Sequence, residues 1–193
     1  MHDVRARCAD LPPPLPGPAL EPDTREAAVL LPLFEQQGET RLVLTRRPDT
    51  MPNHQGEIAF PGGKIDPHLD ATPRDAALRE AEEEIGLPRD SVDVIGELDT
   101  MHAVSGPFLI APFVGLIGVP PTLVPDPREV ERVFHVSLST LLSDEVHSQE
   151  RWDLVGAERT MHFFELEDET IWGVTARILA GFLAHLVGTP IFE

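Results

Sequence analysis

The stretch TPRDAALREAEEEIGL, residues 72–87, constrains the chain more than any other, because it specifies both ends of a helix and the chemistry of one face. Thr72 suits the N-cap, Pro73 the first helical position, and Asp75 stands three residues past the cap in capping-box spacing. Gly86 supplies a left-handed stop. The spacing therefore predicts a helix over 73–85. At ~100° per residue, Glu80, Glu83 and Glu84 fall within an arc of ~100°, Leu78, Ala81 and Ile85 form a separate apolar stripe, and Glu82 points elsewhere. Carboxylates at i, i+3 and i+4 repel one another, which disfavours the isolated helix. A divalent cation removes that cost. An all-oxygen donor set with no Cys or His cluster suits Mg²⁺ or Mn²⁺ rather than zinc. Arg79 lies beside Glu83 on the wheel, placed to hold its carboxylate. A run of glutamates is also what an ordinary solvated helix face looks like, and the helix alone does not separate the two readings.

The preceding segment, HQGEIAFPGGKIDPHLD (54–70), favours a ligand site. A short strand ends in Pro61-Gly62-Gly63, a turn whose missing Cβ atoms let backbone approach a ligand closely, and the chain's sole lysine, Lys64, follows. A glycine turn feeding a carboxylate helix is a layout for phosphate plus metal. The overall charge gives this weight. With 33 Asp and Glu against 15 Lys and Arg, the chain carries a formal −18 and repels nucleic acid, anionic membrane and phosphorylated substrates unless a basic patch or a cation reverses the field locally. Residues 40–64 hold Arg41, Arg46, Arg47 and Lys64 against Asp49 and Glu57, a net of +2, so the rest of the chain carries −20. Arginine forks suit phosphate recognition, although surface ion pairs are their commoner use. The expectation is a small anionic substrate, dependence on a divalent cation, and neither nucleic acid nor membrane as partner.

The 193 residues, 41% of them apolar, suffice for one domain with a real core. Residues 1–22, including the proline-rich LPPPLPGPALEP (11–22), read as an N-terminal arm, and 23–193 as the domain. Strands are predicted at 27–34, 40–45, 57–60, 92–98, 109–118, 130–136 and 160–166, a short helix after Ser137, and a terminal helix over 171–187 bounded by Gly188 and Pro190. That last apolar run contains Arg177 and His185, so it reads as a packed helix and not as a membrane span. The only cysteine, Cys8, has no partner for an intramolecular disulfide, and the N-terminus lacks a signal-peptide pattern; the expected location is the cytoplasm. Strands, a helix, more strands and a terminal helix predict a mixed sheet with helices on its faces.

Arg79-Glu80-Ala81-Glu82-Glu83-Glu84-Ile85-Gly86-Leu87 resembles the second half of the Nudix box, R-E-U-x-E-E-x-G-U with U aliphatic. The first half departs from the pattern. The interval from Gly63 to Arg79 is about two residues longer, and the usual glutamate is missing, with Asp70 the nearest acidic substitute. Leu44-Thr45-Arg46, Met51, His54, Gly56-Glu57, Ala59-Phe60-Pro61-Gly62-Gly63-Lys64 and Asp66 resemble the extended pattern of the coenzyme A diphosphatases within that family, with Arg47 where serine is common. Ile171-Trp172-Gly173-Val174-Thr175-Ala176 resembles the start of their C-terminal helix. The resemblance implies an α/β/α sandwich of the α+β class with a mixed central sheet. It implies Mg²⁺- or Mn²⁺-dependent hydrolysis of the diphosphate of coenzyme A to 4′-phosphopantetheine and adenosine 3′,5′-bisphosphate. Glu80, Glu83 and Glu84 would be the metal ligands, with Arg79 as their orienter and Glu57 as a further candidate. Glu80 is the first choice for general base and Glu129, in the loop PDPREVERV, the second. Arg46, Arg47, His54, Lys64, Gly62 and Gly63 would meet the substrate, His54 being as readily a structural histidine. A diphosphatase acting on nucleoside triphosphates, ADP-ribose or dinucleoside polyphosphates, or a noncatalytic nucleotide-binding module, are the other readings of the same box.

Overall fold

The apolar runs AAVLLPLF and LIAPFVGLIG become the two central strands of the main sheet. The computed structural model describes residues 2–9, 11, 13–14, 23–50, 55–103, 106–154 and 156–188. In chain order the elements are α1 (His2–Ala9), β1 (Arg25–Gln36), β2 (Glu39–Arg46), β3 (Ile58–Ala59), β4 (Gly62–Lys64), α2 (Pro73–Ile85), β5 (Val92–Glu97), β6 (Met101–His102), β7 (Phe108–Ile117), β8 (Arg132–Ser137), α3 (Leu138–Leu141), β9 (His147–Leu154), β10 (Ala157–Glu165), β11 (Thr170–Ile171) and α4 (Gly173–Val187). β1 and β7 run parallel, in register from Arg25 opposite Phe108 to Phe34 opposite Ile117. The other pairings of this eight-stranded sheet are antiparallel, which makes it mixed, as the element order predicts.

β1 is buried on both faces, so it reads as a continuous apolar run and not as an alternation. One face, with Ala28, Leu30, Phe34 and Val43, packs on Ala76, Ala77, Ala81 and Ile85 of α2. The other, with Leu31, Leu33, Leu42 and Leu44, packs on Ile178, Leu179, Phe182 and Leu183 of α4. Helix, sheet and helix form three layers. A second, three-stranded sheet, β9-β10-β11, packs against α4 through β10.

α2 begins and ends where its caps place it. The Thr72 hydroxyl accepts the Asp75 N–H at 3.2 Å and donates to the Asp75 carboxylate at 2.8 Å. Gly86 adopts φ 66°, and the Leu87 N–H closes back on the Ala81 carbonyl. The short helix after Ser137 is present and capped by the serine hydroxyl. α4 starts two residues later than predicted, because Thr170 and Ile171 pair with β10, Ile171 lying opposite Phe164. β4, β6, β9, β11 and α1 were not predicted. HSQERWDL in β9 exposes most of its side chains and carries no apolar alternation; its register with β10 is what makes it a strand. Residues 1–22, read as an arm, contain α1, which buries Val4 and Cys8 at helical spacing and contacts β5 and α4. Burial pushes the Cys8 thiol from 9.0 up to about 11, which makes it an inert core group. Among the described residues no helix is long and apolar enough to cross a membrane.

Ile85 joins α2 to the sheet with no exposed surface. Ile85→Ala is expected to lower the unfolding free energy by about 2–5 kcal/mol, measured as a drop in the urea midpoint at unchanged slope.

Candidate active site

Arg79 is the hub of the region. Its Nε and Nη2 donate to the two oxygens of Asp70 at 2.8 and 2.9 Å, Nη1 donates to Glu80 at 2.8 Å and Glu83 at 3.0 Å, and Nη2 also donates to the Lys64 carbonyl at 3.1 Å. The expected contact with Glu83 is present, and it is one of several. Asp70, whose side chain is 1% exposed, also accepts the Asp66 N–H at 2.8 Å. The hydrogen bond from Arg79 holds the Asp70 carboxyl below the usual carboxylate range, and the same bond raises Arg79, so each partner favours the ionised form of the other. Asp70 is a residue that sequence reasoning left without a role. The signal was there, since it was the acid nearest the position of the missing glutamate, but the longer interval before Arg79 left the match inexact.

The glycine turn is built into the sheet. Gly62 and Gly63 of β4 pair with Val29 and Ala28 of β1, and a Cβ on Gly62 would lie 2.4 Å from the Ala28 carbonyl oxygen. A Cβ on Gly63 would lie 2.4 Å from Glu80 Cδ, so the carboxylate of the helix occupies the space a side chain would take. The Gly62 N–H donates to Glu84 at 3.1 Å. Turn and helix are therefore one unit, interlocked through Glu80 and Glu84.

The three glutamates differ in environment. Glu83 is half exposed, Glu80 is mostly buried, and Glu84 is buried in the α2 face of the core. Burial pushes the Glu80 carboxyl up, opposed by its bond to Arg79. Burial raises Glu84 from 4.5 to about 8; the Gly62 N–H and the charge of Arg47 oppose the shift, and the charges of Glu80 and Glu129 add to it. Glu82 points away, as predicted, and accepts Arg89 Nε at 2.7 Å.

The loop carrying Glu129 docks on the end of α2, the Val124 and Asp126 N–H groups donating to the Ile85 and Glu84 carbonyls at 2.9 and 2.8 Å. That docking brings the Glu129 charge within range of Glu80 and Glu84. Arg47 is half-buried, its N–H donating to the Glu57 carbonyl at 3.0 Å. Lys64 is exposed at the end of β4. Arg46 is committed elsewhere than expected. It pairs with Asp49 at 3.0 Å, with Glu131, and with Glu169 at 3.5 Å, so it would have to release carboxylates before presenting a fork to phosphate. Arg41 pairs with Glu39 at 3.1 Å. His54 and Met51 lie outside the described residues.

Glu80, Glu83 and Glu84 do not converge as a ready cation cage, and among the described residues no three His, Cys, Asp or Glu side chains do. Arg79 holds Glu80 and Glu83, while Glu84 turns to the Gly62 N–H. The chemistry of the group nevertheless fits a hard divalent ion: every donor is oxygen, and the charge of Glu129 raises the proton affinity of both Glu80 and Glu84, to which Glu80 adds at Glu84, a repulsion that a cation relieves.

Residues 24–180 match the profile of the NUDIX domain. The chain belongs to the Nudix hydrolase family. It is 40% identical over 166 residues to a NudL of Photorhabdus laumondii named as an uncharacterized Nudix hydrolase, covering 86% of this chain and 87% of that protein. It is equally 40% identical over 170 residues to Nudix hydrolase 22, chloroplastic, of Arabidopsis thaliana, covering 80% of this chain and spanning about half of that protein, 53%. Among solved structures, a MutT/nudix family protein from Enterococcus faecalis superposes with a TM-score of 0.61 at 16% identity, over 92% of this chain and 68% of that one, a likeness of fold alone. Nudix hydrolases generally use divalent ions such as Mg²⁺ or Mn²⁺.

Two outcomes follow from this geometry. Asp70→Asn keeps the shape but leaves Arg79 without its buried counter-charge, and is expected to cost about 3–5 kcal/mol of stability in chemical denaturation. The second concerns pH. In the unfolded chain Glu84 titrates at its ordinary 4.5 and in the folded, metal-free protein at about 8, so between these values the folded state holds a proton that the unfolded state has released. The Glu84 contribution to stability therefore falls as pH rises from about 4.5 to about 8 and is flat above. Melting curves in chelator should show Glu84→Gln gaining on the wild type across that window.

Proposed function

We propose that the chain is a cation-dependent diphosphatase that cleaves coenzyme A to 4′-phosphopantetheine and adenosine 3′,5′-bisphosphate. The observation that carries this reading is the seating of the Glu80 carboxylate on Gly63. It joins the 44–66 stretch, which resembles the coenzyme A diphosphatases, and the carboxylate helix into one site. Glu80, Glu83 and Glu84 would hold the ion. When bound, the ion would neutralise the diphosphate oxygens and lower the pKa of an attacking water.

The chain's own residues have separable tasks in this scheme. Arg79, anchored by Asp70, fixes the rotamers of Glu80 and Glu83. Glu80 takes the proton of the attacking water; its carboxyl is raised by burial, which brings it nearer the operating pH of a general base. Glu129, from the docked loop, is the second candidate for that step. Arg47 and Lys64 supply positive charge on the glycine-turn side, where an anionic substrate would otherwise be repelled. A lone, buried cysteine accords with a reducing compartment, and the cytoplasm is the location we assign.

Incubation with coenzyme A, ADP-ribose, a dinucleoside polyphosphate and a nucleoside triphosphate, in Mg²⁺ or Mn²⁺, should give the highest kcat/KM for coenzyme A, with the two named products in the mass spectrum. A tenfold or greater preference (~10) for any other compound sinks the coenzyme A reading, and tight binding without cleavage in Mn²⁺ would make the chain a binder. Glu83 is half exposed, so Glu83→Gln should fold normally and lose about 10²–10⁴-fold in kcat; wild-type turnover of that variant under saturating Mg²⁺ would remove Glu83 from the ligand set.

A further inference from the structure

A cavity lies away from the glutamates. Its volume is about 310 Å³, at the small end of the range for ligand pockets, and its lining includes His102, Arg159, Thr160, His162, Gly173 and Arg177. The first turn of α4 forms one wall, on the face of the sheet opposite α2. Lys64, Ala27, Ile110 and Met101 stand side by side across β4, β1, β7 and β6, so β6 lies three strand spacings, ~14 Å, from the glycine turn.

The charge of this wall runs against the rest of the chain. With 33 acidic residues against 15 basic, a pocket that gathers two arginines and two histidines with no carboxylate among the described residues of its lining is a local reversal of the field. Most arginines with described contacts are paired: Arg41, Arg46, Arg79, Arg89, Arg128, Arg132 and Arg151 each meet an acidic side chain. Among the described residues, neither Arg159 nor Arg177 pairs with one. Arg159 stands opposite Trp152 in the β9–β10 ladder, and the charge of Arg177 acts on His162 as a repulsion, lowering its pKa after burial has done so. His162 is fixed from behind, its Nδ1 lying 3.1 Å from His147 Nε2.

The backbone adds donors. α4 has no side-chain hydrogen bond from its N-cap Trp172 and no acid in its first turn, so among the described residues neither of these local groups occupies its leading N–H groups. Gly173 adopts φ 66° with open space beyond its Cα, and the helical residues follow it. A left-handed residue leading into a right-handed turn aims successive N–H groups into a shared concavity that suits an anion.

We propose that this cavity is a binding subsite for a phosphate monoester dianion, held by Arg159 and Arg177 with the Thr160 hydroxyl and the first N–H groups of α4. The IWGVTA string, which the diphosphatase reaction leaves without a task, then contributes Gly173 and Val174 to the wall of this subsite. The monoester has two possible sources, the substrate's own terminal phosphate or a separate phosphorylated metabolite.

Two arms test the proposal and its source on the intact chain. In the first, inorganic phosphate is titrated into the protein while the ring resonances of His102 and His162 are followed by NMR. Saturable shifts are expected, with affinity falling tenfold or more, ~10-fold per lost arginine fork, in Arg159→Ala/Arg177→Ala. Absence of saturation in the wild type, or unchanged affinity in the double variant, overturns the subsite. Both side chains are exposed, and Arg159→Gln/Arg177→Gln serves as a second variant should the first lose its native melting transition. The second arm rests on the coenzyme A reading and compares coenzyme A with its 3′-dephospho form. A rise in KM confined to coenzyme A, at unchanged kcat, assigns the monoester to the substrate. Equal KM values for the two forms, with phosphate binding lost, assign it to a separate ligand. If neither compound is cleaved the coenzyme A reading fails, and the phosphate titration still judges the cavity.

Discussion

Arg79 uses each of its five N–H donors, and what it holds is scattered along the chain: Asp70 in the approach loop, the Lys64 carbonyl at the end of the glycine turn, and Glu80 and Glu83 on its own helix. A buried ion pair is poor evidence of net stabilisation, because removing two charges from water costs about what their attraction returns. Its value here is geometric. The bidentate fork to Asp70 fixes the guanidinium plane, and the guanidinium fixes two carboxylates. The carboxylate face inherits its precision from the arginine behind it.

The glutamates are less comfortable. Glu84 sits in the apolar layer between α2 and the sheet with one backbone N–H as its partner, and the nearby charges of Glu80 and Glu129 oppose its ionisation. Such an arrangement is costly for an empty protein and favourable for one that binds a cation. The excess of negative charge is partly concentrated at these glutamates, where a positive ion would relieve their repulsion, and Arg47 and Lys64 stand on the glycine-turn side.

Much of this was legible in the sequence. The ends of α2 follow from Thr72, Pro73 and Gly86, and the two-faced burial of β1 from an unbroken apolar run. The alternation of strands and helices was enough for a three-layer mixed sheet. Other features could not be read. Asp70 was obscured by a lengthened loop, and spacing cannot see that a loop folds back. Arg46 looked like a phosphate fork because Glu131 and Glu169, its partners, are remote in sequence. β9 has no hydrophobic alternation, since its sheet covers α4 only through the neighbouring strand. These are cases in which tertiary context assigns a role that local chemistry leaves open.

The parallel contact of β1 with β7 has a consequence for how the protein comes into being. Parallel neighbours cannot be joined by a tight turn, and the chain between Phe34 and Phe108 contains β4, the approach loop, Arg79 and the whole of α2. Closing that long loop carries an entropic cost before its contacts form, so formation is slow and cooperative. The glycine turn hydrogen-bonds to β1 itself, and it gains its place only when the central pair does. Site and core are then coupled, because the turn that meets Glu80 and Glu84 is itself a strand paired with β1.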